Sequence, residues 1–158
     1  MSGPQAEWVE IVESVEVAAS PRAVWHVVGD FGGLGQWMPG VTGLQTSGRG
    51  PGATRRIHMG SACMLETLVE LDERHMQLGY RLDQGPLPAR SYTSTLRVSP
   101  AEAGARVDWT ARCTPDDTTN AARLERTLRQ AYRAGLNGLA SVFASAAIAS
   151  AGSRRGGA

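Results

Sequence analysis

Between Trp8 and Val17 the chain alternates, with Val9, Ile11, Val15 and Val17 on one side and Glu10, Val12, Ser14 and Glu16 on the other. This is the period-two pattern of a half-buried strand, interrupted on its apolar side by Glu13. Ser20-Pro21 then reads as an N-cap followed by a first-turn proline, and the apolar stretch Ala23 to Val28 stops at Gly29, which predicts a helix of about two turns. From Asp30 to Gly43 five glycines and Pro39 predict a loop with at most one further helical turn, around Leu34 to Met38.

From Val41 to Thr114 strand-like runs of about six to ten residues alternate with turn signals. The signals are Gly48 to Gly52, Gly60-Ser61, Asp72-Glu73, Gln84 to Pro88 and Ser99 to Gly104. Six hairpin-linked strands follow, an antiparallel meander. Beyond Pro115 the run Asp116 to Thr119 offers N-cap candidates. Leu124, Leu128, Ala131, Tyr132, Leu136, Leu139, Val142 and Phe143 then recur at helical spacing. A helix of about 30 residues would be roughly 45 Å long, enough to cross such a sheet. The pattern therefore predicts an α+β fold, seven antiparallel strands curved against one long C-terminal helix, with two short helices after the first strand. One domain over 1–151 is expected, with 152–158 as a disordered tail.

Composition narrows the function. The net charge is +1, which favours neither nucleic acid nor anionic lipid as a partner. All 16 basic residues are arginine, so no lysine is present to form a Schiff base. Cys63 and Cys113 stand apart, outside any CxxC or metal-type spacing, and the N-terminus carries no basic segment followed by an apolar run. A reduced, cytosolic protein is expected, without a bound metal or cofactor. Leu139 to Gly152 is too short and too serine-interrupted for a membrane span, which needs about 20 apolar residues. P-loop, G-x-G-x-x-G, H-E-x-x-H and G-x-S-x-G motifs are all missing from the sequence.

Several residues, in this order, carry a family resemblance. They are Ala19-Ser20-Pro21 with Val24-Trp25 before Asp30-Phe31, Trp37-Met38-Pro39-Gly40-Val41, Pro51-Gly52-Ala53 with Arg55, and Glu66-Thr67-Leu68-Val69-Glu70-Leu71-Asp72. Tyr80, Gly85-Pro86-Leu87-Pro88 and Tyr92 follow. From about Val9 to Ala149 the chain resembles the SRPBCC superfamily, the helix-grip group. That group includes START lipid-transfer domains, bacterial polyketide cyclase/dehydrase-like proteins and plant abscisic acid receptors. The resemblance implies a ligand cavity between the concave face of the sheet and the long helix, reached past the loops holding Gly60-Ser61 and Pro86 to Pro88. It does not imply one activity, since enzymes, carriers and sensors share the scaffold.

Glu66 is the leading site candidate. In the receptor branch the glutamate of the similar E-x-L-x-x-L-D motif faces the ligand, and a buried carboxyl there would titrate high enough for acid/base work. A solvent-facing strand residue is the alternative. Tyr92 corresponds to a pocket tyrosine of the family and shares strand parity with Ser94, so it is a candidate hydrogen-bond donor to a ligand carbonyl or enolate. A core tyrosine bonded to backbone is its alternative. For Asp108 two readings conflict: amphipathic alternation buries Trp109 and turns Asp108 outward, whereas the resemblance aligns Asp108 with a pocket acid.

Parity also places Arg55, Ile57 and Met59 inward and Arg56 and His58 outward. An inward Arg55 needs an acidic partner, Glu66 or Glu13. Trp37, Met38, Tyr80, Leu82, Ala131, Tyr132 and Gly135 are expected to complete an apolar wall. Gly135 is informative because glycine within a helix costs about 1 kcal/mol relative to alanine, so something must approach it closely. Arg126, Arg129 and Arg133 read as a solvated outer face.

Three functions fit. One is a cofactor-free cyclase or dehydratase acting on a polyketide-like or other carbonyl-rich molecule. Another is a non-catalytic binder or carrier of a hydrophobic small molecule, as a monomer or homodimer. An interaction domain using the sheet edge or helix is the third. A hormone receptor is disfavoured, because the lysine that anchors the hormone in the plant branch has no counterpart here.

Overall fold

The computed structural model describes residues 7–155, with side-chain surroundings over 7–146. In chain order the elements are β1 (Val9–Val17), α1 (Pro21–Val28), a 3-10 helix (Phe31–Gln36), β2 (Gly43–Ser47), β3 (Thr54–Met59) and β4 (Ala62–Asp72). β5 (Gln77–Gln84), β6 (Ala89–Ala101), β7 (Gly104–Pro115) and α2 (Ala121–Arg155) follow. The sheet is seven-stranded in the order β1-β7-β6-β5-β4-β3-β2 and every pairing is antiparallel. This is the expected helix-grip arrangement. The last turn of α2 runs into the segment expected as tail, and 156–158 lie outside the described residues. No helix among the described residues is long and apolar enough to cross a membrane.

Local chemistry sets the boundaries. Ser20 caps α1, its Oγ accepting from the Ala23 amide at 3.2 Å, with Pro21 at the first position. The extra helical turn starts at Phe31, three residues earlier than the glycine pattern places it. α2 is capped not from the Asp116 to Thr119 run but by Asn120, whose Oδ1 accepts from the Arg123 amide at 3.0 Å. Asp116 instead accepts from the amide and hydroxyl of Thr118, closing the preceding turn.

The buried stripe of α2, Leu124, Leu128, Tyr132, Leu136 and Leu139, packs on the inward residues of β1, β6 and β7. Two glycines let it close. A Cβ at Gly135 would stand 2.7 Å from both Met38 Sδ and Trp109 Cζ3. One at Gly138 would run into the Trp37 carbonyl and the Pro39 ring. The loop after the 3-10 helix thus rests directly on the helix backbone and roofs the space between helix and sheet.

Candidate functional site

That space is a cavity of about 170 Å³. It is comparable to the ~150 Å³ cavity that holds a benzene and smaller than the roughly 300–1,000 Å³ of sites for drug-sized ligands. Leu34 and Met38 close it from the loop, Arg55, Ile57 and Met59 from β3, Met64 and Glu66 from β4, and Tyr80 from β5. Leu87, Tyr92 and Trp109 come from the β5–β6 connection, β6 and β7, and Leu128, Ala131 and Tyr132 from α2. Most of the wall is aliphatic, methionine or aromatic, and the polar atoms gather in two places.

The first is an ion pair. The tight Gly60-Ser61 turn sets the β3–β4 register, which puts Arg55 directly opposite Glu66. Arg55 donates through Nε to Glu66 Oε1 at 2.8 Å, with Nη2 also 2.8 Å from that oxygen in the ion pair, and through Nη1 to the Phe31 carbonyl at 3.0 Å. The guanidinium lies 4.2 Å from the Phe31 ring centroid and 4.8 Å from that of Tyr80. Both charged residues are buried, 2% and 6% exposed. Glu66 Oε2 accepts from none of the described residues. Burial pushes the Glu66 carboxyl above the ordinary glutamate range, against the opposing pull of Arg55.

The second is a set of hydroxyls. Ser94 Oγ donates to the Thr110 carbonyl at 2.8 Å and lies 2.8 Å from the Tyr132 hydroxyl, which in turn contacts that of Tyr92. Trp109 Nε1 divides its proton between Ser94 Oγ at 2.9 Å and the Tyr80 hydroxyl at 3.2 Å. Burial raises Tyr80, Tyr92 and Tyr132 above the usual phenol value, so all three stay protonated at neutral pH. β-Bulges fall beside the two leading candidates, between Leu65 and Glu66 and between Arg90 and Thr93, where Ser91 takes φ 53°. Such bulges re-aim side chains next to sites.

Residues 9–144 match the family described as "Polyketide cyclase / dehydrase and lipid transport". The chain belongs to that family. No curated protein matches it. Among solved structures, a Thermobifida fusca protein is 34% identical with a TM-score of 0.76, over 85% of this chain and 92% of its own. XoxI of Bacillus cereus is 23% identical with a TM-score of 0.79, over 85% and 95%. Ara h 8.0201 shares the fold at 12% identity and a TM-score of 0.74, over 88% and 99%.

In this polyketide cyclase/dehydrase-family chain the residues picked from sequence separate into three groups. Glu66, Tyr92, Arg55, Ile57, Met38, Met59, Tyr80, Ala131 and Tyr132 line the cavity. Trp37, Ser94 and Gly135 stand one layer behind it. Trp37 meets Trp109 edge-on at 5.4 Å, Ser94 anchors Tyr132 and Trp109, and Gly135 admits Trp109 and Met38 against the helix. Leu82 packs half-buried against the core without reaching the cavity.

Asp108 does not belong to the site. It points to the outer face of the sheet, accepting from Ser14 Oγ at 2.5 Å and Arg106 Nε at 2.9 Å, while Trp109 takes the inner side. Strand alternation decides the matter against the family alignment. His58 likewise faces out, 3.4 Å from Gln45. Arg55 takes Glu66 and not Glu13, which pairs instead with Arg129 and Arg133 at 3.0 Å each. Two of the arginines read as solvated therefore tie α2 to β1. Leu34, Met64, Leu87, Trp109 and Leu128 were missed as lining residues, although Met64 shares β4 parity with Glu66 and was open to detection. Among the described residues no cluster of metal-ligating side chains occurs.

Proposed function

We propose that the cavity binds a compact, mostly apolar molecule bearing a carbonyl group and transforms it by acid/base chemistry of the cyclase/dehydratase kind, without a cofactor. One observation carries this reading: Glu66 lines the cavity, is buried with its carboxyl pushed above the ordinary glutamate range, and keeps one oxygen, Oε2, that accepts from none of the described residues. Oε2 takes a proton from the carbon next to the carbonyl while the hydroxyl group of residues polarises the carbonyl oxygen. In a dehydration the β-hydroxyl then leaves as water, carrying a proton returned by Glu66. In a cyclisation the enolate carbon attacks a second carbonyl, whose oxygen takes that proton. Enclosure in a small cavity holds the reacting atoms close.

Arg55 favours a second reading. Its engagement with Glu66 Oε1, the Phe31 carbonyl and two rings is that of a brace, and it suits a carrier that holds its ligand unchanged. Deuterium exchange at the α-carbons of cyclohexanone in D2O, followed by NMR, separates the two. Catalysis predicts exchange faster than buffer, falling by about 10²-fold or more in Glu66→Gln. Binding without accelerated exchange would leave the carrier.

A further inference from the structure

The β3–β4 register orders the inward side chains along the hairpin. Met59 stands next to the Gly60-Ser61 turn, Ile57 faces Met64, and Arg55 faces Glu66. Glu66 therefore lies roughly 7 Å along β4 from Met64. The cavity has a charged, hydroxyl-rich half and a thioether half, and the two are held with unequal firmness.

In the first half Arg55, Glu66, Tyr80, Tyr92, Trp109 and Tyr132 are at most 6% exposed. Arg55 is tied to Glu66 and the Phe31 carbonyl. The Tyr80 hydroxyl has Trp109, Ser94 and Tyr92 as partners, and that of Tyr132 has Ser94 and Tyr92. Moving any of these side chains breaks a buried hydrogen bond. In the second half Met38, Met59 and Met64 are only half-buried.

Each of these methionines lies over a glycine of another element. A Cβ at Gly135 would come within 2.7 Å of Met38 Sδ, one at Gly40 within 3.2 Å of Met59 Cε, and one at Gly85 within 3.0 Å of Met64 Cγ. The thioethers thus fill gaps left by bare backbone. An unbranched, freely rotating side chain refills such a gap in more than one way, and its sulfur packs well against a ring edge.

We propose that Met38, Met59 and Met64 form a yielding wall that sets the ligand's size limit, so that the site takes aromatic molecules of one or two rings whose hydrogen-bond donor meets Glu66 Oε2. This rests on the cavity being the ligand site. It adds which wall moves and which class of molecule fits. The resting volume of about 170 Å³ matches one ring, so a second ring enters by displacing the thioethers while the tyrosines stay in place. Oε2 receives the donor because it accepts from none of the described residues.

4-Hydroxybenzaldehyde and 6-hydroxy-2-naphthaldehyde carry the same two groups on one ring and on two, and titration calorimetry on the intact protein compares them. The wild type binds the two-ring compound at least as tightly as the one-ring compound. The double variant Met59→Ile with Met64→Ile replaces both thioethers by stiff β-branched side chains. Its affinity for the one-ring compound stays within about threefold of wild type, as a swap of similar volume allows. Its affinity for the two-ring compound falls by about tenfold or more, the low end of an overpacking loss. Should that variant fail to fold, wild-type protein labelled with 13C-methyl methionine answers the same question. The two-ring compound then shifts the methyl signals of Met38, Met59 and Met64 and leaves that of Met76, which does not line the cavity. Two-ring binding weaker than one-ring binding in the wild type, an unchanged ratio of affinities in the variant, or methionine signals that stay in place overturns the yielding wall while the cavity remains the site. Failure of 4-hydroxybenzaldehyde to bind the wild type overturns the site as well.

Discussion

Arg55 grips one oxygen of Glu66 with two of its nitrogens, each at 2.8 Å, and leaves the other oxygen bare. The pair is buried, so the carboxylate loses more solvation than the guanidinium restores, and Glu66 holds its proton above the usual glutamate range. A carboxyl whose folded value is raised makes no contribution below the unfolded value. It lowers stability as pH climbs from the unfolded to the folded value, and the penalty is complete above. Glu66→Gln is therefore expected to match the wild type in denaturant midpoint at low pH and to exceed it increasingly as pH rises through that window. Ketone exchange in the wild type runs the other way, rising with pH as the base form appears, with its midpoint above about 4.3, the value of an unperturbed glutamate. A midpoint at or below that value removes the acid/base role.

Glu13 has the opposite balance. Burial raises its pKa, but the hydrogen bonds and charges of Arg133 and Arg129 outweigh that and leave the carboxyl below its ordinary value. Its contribution is present above the unfolded glutamate value and disappears as pH falls through the lower folded one. Glu13→Gln is expected to lower the melting temperature at neutral pH and to match the wild type in strong acid. A pH-independent loss would mean that packing of α2 on β1, rather than charge, carries the effect.

The two helix glycines make a graded prediction. At Gly135 an added methyl meets the flexible end of Met38 and the rim of Trp109, and helix propensity returns about 1 kcal/mol. Overpacking costs about 1–3 kcal/mol, so Gly135→Ala is expected to be mildly destabilising. At Gly138 the obstacle is the backbone carbonyl of Trp37, which cannot rotate away. Gly138→Ala should cost more than Gly135→Ala in urea denaturation, and equal losses would show that the loop yields as readily as a side chain.

Much of this was legible in the chain because it follows from near neighbours. Alternation gave the seven strands and the outward turn of Asp108, and the Gly60-Ser61 turn sets the register that faces Arg55 with Glu66. Gly135 signalled a close approach at its position. What could not be read is where distant strands meet. The hydroxyl cluster joins β5, β6, β7 and α2, and no local period reports that Tyr132 lands on Ser94 or that Trp109 reaches Tyr80. Family likeness misled at Asp108, because a motif aligned across families does not override the parity of the strand that carries it. The Asn120 cap and Gly138 were passed over, the first because the Asp116 to Thr119 run beside it offers the same kind of capping oxygen.

Trp37 and Trp109, which meet edge-on beside the cavity, are expected to respond differently to loss of the indole nitrogen. Trp109 Nε1 serves two acceptors, whereas Trp37 Nε1 is buried and meets no acceptor among the described residues. Trp109→Phe removes a donor that Ser94 and Tyr80 both use, adding about 1–3 kcal/mol to the loss of packing. Trp37→Phe loses packing but also relieves an unpaired donor, so it is expected to be the milder change by a similar margin. Chemical denaturation of both variants checks the order, and a reversed order would show that a ligand or solvent partner occupies the Trp37 nitrogen in solution.

Ala131 is exposed on α2 and yet lines the cavity, which places it at the mouth. A larger side chain there projects over the opening without disturbing the buried stripe of Leu128, Tyr132 and Leu136. Replacing alanine by phenylalanine within a helix costs about 0.5 kcal/mol in propensity, so Ala131→Phe is expected to melt close to the wild type. Its association rate for 4-hydroxybenzaldehyde should nevertheless fall at least about tenfold, a barrier change of ~1.4 kcal/mol, measured by stopped-flow fluorescence of the cavity tryptophan. Access past α2 predicts that slowing. An unchanged rate would move the mouth to the opposite rim, where Leu87 of the β5–β6 connection closes the cavity, and Leu87→Trp would then be the variant that slows binding.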